Sequence, residues 1–313
     1  SQEQTNATSY DAAAVAIITL ETFAGMWINA FIISVLCMGW VKKKTLNSNE
    51  KILLLLGCSR FWYLCISWVY SFLSVTYPKY LYVHSMLQLV LSIQTFLNYF
   101  KLWVSACLCC FHCIKIANFR NNFFIYLKVK IDRIVPWLLL GSVLLALAIS
   151  ILAYDIAEKL HSTNRNSTCR RNFWEESIKM EEHLFHIYFL TGFGYAASFM
   201  AAIFSALLLL FSLWRHKRNM QTNSMNNLSM DVHIRAMKSI LSFLVLYTIN
   251  FICLILTIIY ASKKNASSTV FLIYVFLYAF PGVHSLILIF SNPKMENTLL
   301  RILLCVKCKV CMK

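Results

Sequence analysis

Seven long apolar runs, separated by short polar connections, set the pattern of this chain: residues 12–41, 51–74, 85–114, 133–156, 184–214, 236–261 and 269–291. Each run holds twenty or more residues, enough for an α-helix to cross a hydrocarbon core of roughly 30 Å. None has the period-two alternation of a barrel strand. The pattern predicts an all-α protein, a seven-transmembrane helix bundle, in three parts. These are an extracellular N-terminus (1–11), the helical domain (12–291) and a cytoplasmic tail (292–313). An odd number of crossings leaves the termini on opposite sides.

Composition agrees with this class. Hydrophobic residues make up 59% of the chain and charged ones 13%, and the mean hydropathy is +0.63, far from the soluble globular range. Charge then sets the orientation. Of the 29 Lys and Arg residues, Arg60 and Lys101 lie inside spans, nineteen fall on one set of alternate connections together with the tail, and eight on the other set. The positive-inside rule places the basic side and the C-terminus in the cytoplasm and the N-terminus outside. Glycosylation sequons test the assignment: those at Asn6, Asn166 and Asn265 fall on outer segments, and the one at Asn227 falls on an inner one.

Of the twelve cysteines only Cys169 lies on an outer segment, so no disulfide joins two extracellular positions. Most of the others read as packed thiols. Cys305, Cys308 and Cys311, spaced i, i+3, i+6 among tail lysines, lack a fourth ligand for a zinc site and read instead as juxtamembrane palmitoylation positions.

Polar side chains inside spans are costly and mark function. Asn29, Arg60 and Ser285 lie at depths of roughly 18, 14 and 9 Å of helix rise from the inner ends of their spans. These depths predict an inner lock, with Arg60 held by Asn29 and by groups near His284 and Ser285. Lys101 sits mid-membrane on the third span without an evident counter-ion. Glu21, the one carboxylate embedded deep in a span (Asp155 stands at the end of its run), differs in depth by more than a turn. The third span also carries Gln88, Gln94 and Asn98 in its outer half and ends inside as Phe111-His112-Cys113-Ile114-Lys115-Ile116-Ala117-Asn118-Phe119. It offers a small-molecule surface at one side of the membrane and a basic, partner-facing end at the other.

Motifs across nearly the whole chain resemble those of the bitter taste receptors, the type 2 taste receptor family of G-protein-coupled receptors. Span one carries Glu21, Gly25, Asn29 and Phe31-Ile32, and span two carries Ser59-Arg60 and then Trp68. Span three has Asn98, Phe100, Trp103, Ala106 and Leu108, followed by Lys115-Ile116-Ala117-Asn118-Phe119. Span five closes Leu209-x-x-Ser212-Leu213-Trp214-Arg215-His216. Span six opens with His233, Ala236 and Lys238 and continues Ser242-Phe243-Leu244-x-Leu246-Tyr247. Span seven ends Pro281-x-x-His284-Ser285-x-Ile287-Leu288-Ile289-x-x-Asn292-x-Lys294.

The resemblance implies a plasma-membrane receptor that binds bitter small molecules in an outer cavity and activates a heterotrimeric G protein, gustducin or an inhibitory-class relative, at its inner face. Carried over by position, the ligand site includes Gln94, Asn98, Asn250 and Tyr274, with Tyr99 and Tyr278 as aromatic walls. Many relatives have Trp where Gln94 stands and an acidic or amide side chain where Tyr274 stands, so the agonist chemistry should differ. The inner switch comprises Asn29, Arg60, His112, His284 and Ser285, His112 standing where relatives carry Tyr. The inner face comprises Lys115, Ile116, Ala117, Arg215, His216, His233 and Lys238, a basic rim that suits membrane lipids as well as a G protein. A small multi-pass transporter or channel, with Arg60, Lys101 and Glu21 lining a path, is the alternative. The odd span count and the lack of an inverted repeat weigh against it. A receptor outside the bitter family is a third possibility. An enzyme fits least, since the histidines show no nucleophile–base or metal-ligand spacing. No cofactor, metal or nucleic acid is expected.

Overall fold

The computed structural model describes residues 2–76, 86–117, 119, 121–166, 173–222, 227–262 and 268–311. Their secondary structure is helical throughout: α1 (Gln2–Lys43), α2 (Ser48–Thr76), α3 (Met86–Ile116), α4 (Asn122–Asn166), α5 (Phe173–Thr222), α6 (Asn227–Ser262), α7 (Ser268–Ser291) and α8 (Pro293–Cys311). Seven of these helices are long and apolar enough to cross a membrane, over Ala16–Lys43, Ser48–Leu73, Gln88–Ile116, Asn122–Asp155, Gly192–Arg218, Ala236–Thr257 and Leu272–Ser291. The expected seven-helix bundle is present. Asn265 lies outside the described residues, as do the side chains of Asn6, Asn166 and His233.

Polar residues punctuate the bundle where the chain must stop and restart a helix. Lys44, with φ of 56°, ends α1 and its amide donates to Trp40 O at 2.7 Å. Three residues on, the Asn47 amide donates to Glu50 Oε2 at 3.1 Å, the reach-back half of a capping box that starts α2. At the far end of the chain the Asn292 side chain accepts from the Lys294 amide at 3.1 Å, and Pro293 supplies the preset first position of α8. Lys294 Nζ then donates to Glu50 Oε1 at 3.2 Å, tying α8 to the start of α2.

Two features differ from the sequence pattern. Helix α4 begins at Asn122, eleven residues before the apolar run, because the Asn121 side chain accepts from the Phe123 amide at 3.0 Å and nucleates a first turn. Most of the tail forms α8, a helix beyond the seven apolar runs, whose Leu300, Ile302, Leu303 and Leu304 are exposed. Exposed apolar side chains of this kind suit a helix lying along a membrane surface.

Helix α3 is the centre of the bundle. It packs on α2, α4 and α5, and 56% of its membrane window is buried inside the protein, against 28% for α1. Lipid therefore touches α1 more than α3, and the polar groups on α3 need partners within the protein. Helix α1 crosses α7 where Gly25 meets Gly282: a Cβ placed on Gly282 would lie 3.2 Å from the Gly25 Cα. Small residues here let two backbones approach without an intervening side chain.

Candidate functional site

Successive helices run in opposite directions, so the N-terminal ends of α1, α3, α5 and α7 gather with the C-terminal ends of α2, α4 and α6. At that end, away from α8, lies a cavity of about 440 Å³. Among the described residues its wall holds six tyrosines, Tyr63, Tyr70, Tyr99, Tyr195, Tyr274 and Tyr278, together with Ser71, Gln94, Thr95, Asn98 and Thr257 among aliphatic residues, and no charged side chain. Asn98 Nδ2 donates to the Tyr195 hydroxyl at 2.5 Å. Asn98 Oδ1 is buried and has no hydrogen-bond partner among the described residues. Gln94 Nε2 donates to Ser67 Oγ at 3.2 Å, and the Ser71 and Tyr278 hydroxyls lie 3.1 Å apart. Tyr99 stacks on Tyr195 with centroids 5.1 Å apart, an arrangement that Gly194 permits, because a Cβ there would lie 2.5 Å from Tyr99 Cε1. An aromatic chamber with few polar groups, one of them an unsatisfied acceptor, is the form that small-molecule pockets take.

Below this cavity, toward α8, Arg60 is 1% exposed. Its Nη1 donates to Ser285 Oγ at 2.9 Å, and Nη2 donates to Ser105 Oγ at 3.3 Å and to His284 Nδ1 at 2.5 Å. Ser285 donates onward to Asn29 Oδ1 at 2.8 Å, and Asn29 Nδ2 donates to Gly25 O at 2.7 Å. One guanidinium thereby joins α1, α2, α3 and α7 through neutral partners. Since the guanidinium can only donate, His284 Nδ1 must accept, which places the imidazole proton on Nε2; that nitrogen is buried with no partner among the described residues. The His284 ring is caged by Phe243 and Phe280, with centroids 4.9 and 5.5 Å away.

A second cavity, of about 230 Å³, opens at the α8 end among α3, α5, α6 and α7. Its wall includes His112, Ile116, Leu213, Ser239, His284 and Ser291. The Ser239 and Ser291 hydroxyls hydrogen-bond across it, joining α6 to α7.

A family model described as "Taste receptor protein (TAS2R)" matches residues 7–307. The chain belongs to that family. It is similar to taste receptor type 2 member 2 of Homo sapiens, 31% identical over 307 residues that cover 95% of this chain and 97% of that protein. It is also similar to member 8 of Gorilla gorilla gorilla, at 33% identity with 94% and 96% covered, and to member 7 of Macaca mulatta, at 31% with 90% and 90% covered. Taste receptors of this type are G-protein-coupled receptors of bitter taste, and seven membrane-spanning helices accord with that architecture. The protein is thus a multi-pass membrane protein.

In this taste receptor the expected site residues fall into three places. Gln94, Asn98, Tyr99, Tyr274 and Tyr278 all line the first cavity. Asn250 does not: it is buried on α6 and absent from the cavity wall. Asn29, Arg60, His284 and Ser285 form the expected cluster, whereas His112 stands apart from it, its Nε2 3.1 Å from Asn49 Oδ1 on α2. At the α8 end, Ile116 lines the second cavity, and Arg215 and His216 are exposed.

The remaining inner-face positions face elsewhere. Lys115 turns sideways to pair with Asp132 on α4 at 2.7 Å. Ala117 is 0% exposed, packed with Cys113, Leu209 and Leu213, so its role is to let α3 and α5 close together. Lys238 lies with Lys217 on an outward groove between α5 and α6, beside Trp214 and Leu241, rather than in the second cavity.

Tyr63, Tyr195 and Ser105 were not picked out from the sequence. The signal for the tyrosines was a phenol in mid-span, which needs a polar neighbour for its hydroxyl. For Ser105 it was the position one helical turn beyond Lys101, on the face that meets Arg60.

Proposed function

We propose that this protein is a bitter taste receptor that binds small molecules in the tyrosine-lined cavity and activates a gustducin-type or inhibitory-class G protein at the α8 end. The observation that carries the proposal is the cavity itself, a chamber of about 440 Å³ lined in part by Asn98, whose Oδ1 is buried without a hydrogen-bond partner among the described residues. In this reading the cavity end is extracellular and the α8 end cytoplasmic, as the excess of Lys and Arg on that side supports. The receptor sits in the plasma membrane, with sugars at Asn6, Asn166 and Asn265. Ile116, Arg215 and His216 meet the G protein, and Lys217, Lys238 and α8 meet lipid headgroups.

The mechanism is a population shift. An agonist can favour the active arrangement only by binding it better than the resting one. The Arg60 cluster lies between the two cavities and ties four helices together, so it is the element whose rearrangement couples them. Purified receptor mixed with Gα and βγ, and challenged with a panel of bitter compounds, tests the proposal through nucleotide exchange. Agonist-dependent exchange that Asn98→Ala weakens at equal receptor concentration is the expected result. Exchange that is indifferent to every compound on the panel, from receptor that is folded and couples in its basal state, would refute it.

A further inference from the structure

Lys101 is 6% exposed in the middle of the bundle. It forms no ion pair among the described residues. Its ammonium instead rests on the face of Tyr63, 3.1 Å from the ring centroid. Tyr63 is a wall of the first cavity, as is Asn98, one turn from Lys101 on the same helix. Beneath Lys101 stands a second buried cation, Arg60, whose partners are all neutral. Ser105 links the two, accepting from Arg60 at 3.3 Å and donating to the Lys101 carbonyl at 2.8 Å. Two cations therefore underlie a cavity whose wall, among the described residues, contains no carboxylate, and Glu21 on α1 is not part of that wall. A buried charge without a counter-ion is costly, and a ligand that brings the opposite charge relieves the cost.

We infer that Lys101 makes this receptor selective for organic acids, whose carboxylate pairs with the Lys101 ammonium at the cavity floor while a hydroxyl or N–H near it donates to Asn98 Oδ1. The inference rests on the ligand cavity proposed above and names the ligand class it takes. The ammonium rests on the ring of Tyr63, a residue that lines the cavity. Its four-carbon stem is flexible enough to bring it past the edge of that ring, exchanging a cation–π contact for an ion pair. The six tyrosines then pack the apolar part of the acid. The acceptor at Asn98 separates hydroxy acids and amido acids from simple ones, because an unmet buried acceptor penalises a ligand that lacks the donor.

The test uses benzilate and mandelate, both aryl hydroxy acids, their methyl esters, and 2-phenylethylamine, on wild type, Lys101→Met and Lys101→Arg. Two readouts are taken: thermal stabilisation of purified receptor, and G-protein activation in cells at matched surface expression. The acids should stabilise and activate wild type at lower concentrations than their esters. Lys101→Met should move the acid curves right by about tenfold or more, as expected for losing one partner of a desolvated charge pair. It should leave the esters within about threefold, and Lys101→Arg should restore much of the acid response. Equal potency of acids and esters, an unchanged acid response in Lys101→Met, or a preference for the amine would each overturn the inference. So would failure of both acids on folded receptor that answers neutral compounds. Stabilisation by acids that Lys101→Met abolishes, without nucleotide exchange, would instead uphold the site and refute the signalling role.

Discussion

Arg60 donates to the Ser285 hydroxyl at 2.9 Å, and that hydroxyl donates in turn to Asn29 Oδ1 at 2.8 Å, so Ser285 relays between α2 and α1 from its place on α7. The hydroxyl is 0% exposed as part of its residue, leaving little room for water to take its place. Ser285→Ala strands one guanidinium N–H and the Asn29 carbonyl together, a loss of about 1–3 kcal/mol by the usual cost of unmade buried hydrogen bonds. The variant should melt at lower temperature than wild type and show raised basal nucleotide exchange. Wild-type melting together with wild-type basal exchange would remove the hydroxyl from the coupling.

The amide of Asn98 is fixed by one bond, from Nδ2 to the Tyr195 hydroxyl, which keeps Oδ1 turned away from Tyr195 with nothing to accept from. Tyr195→Phe removes the anchor while preserving the stack on Tyr99. An unanchored amide pays part of the cost of orienting itself when a ligand binds. Agonist potency should therefore fall by a few-fold, corresponding to about 1 kcal/mol for one neutral hydrogen bond. Asn98→Ala should cost more, since it deletes the acceptor itself. Concentration–response curves for both variants at equal expression decide the order; equal loss in the two would mean that Tyr195, and not Asn98, is the ligand contact.

Gly194 and Gly141 offer a matched pair of substitutions. A methyl on Gly194 would sit 2.5 Å from Tyr99 Cε1, whereas one on Gly141 meets nothing within 4 Å. Gly194→Ala should push Tyr99 from its stack at about 1–3 kcal/mol, the range for overpacking a filled core, and narrow the cavity. Gly141→Ala should be neutral or stabilise by up to about 1 kcal/mol through helix propensity. Thermal melts of both variants check the sign, and Gly194→Ala/Tyr99→Leu should recover part of the lost stability by vacating the clash.

The fold was legible in the sequence because lipid imposes a simple rule: each crossing needs a long apolar run, and each run declares itself. Depth arithmetic along single helices was also enough to gather Asn29, Arg60 and Ser285, since a buried guanidinium demands partners at its own level. Facing was harder to read. Ala117 and Lys238 sit next to partner-facing positions in the chain, yet Ala117 is buried under α5 and Lys238 looks outward, because rotation about the helix axis depends on neighbours that a one-dimensional pattern does not contain. Asn250, carried over by position from the resemblance, is buried on α6 and is not among the described residues of the cavity wall. Tyr63 escaped notice because an aromatic residue in an aromatic-rich span looks like packing until a cation is found on its face. Helix α8 was hidden by the lysines and other polar residues among its apolar ones, which lower the mean hydropathy of the tail.

Two ion pairs at the α8 end look alike but should behave differently. Lys115 and Asp132 are joined at 2.7 Å, with side chains 39% and 52% exposed, so water competes for both and their net value should stay below about 1 kcal/mol. Glu50, only 16% exposed, accepts from Lys294 at 3.2 Å and also from the Asn47 amide that opens α2. Removing it costs a helix cap as well as a bridge to α8, and caps alone are worth about 1 kcal/mol. Asp132→Asn should leave the melting temperature close to wild type and insensitive to salt. Glu50→Ala should lower it clearly, and Glu50→Gln should lie between, because the amide oxygen can still receive the Asn47 N–H. The discriminating result is the order of the two Glu50 variants: if Gln melts no higher than Ala, the charge on Lys294 rather than the cap is what Glu50 contributes.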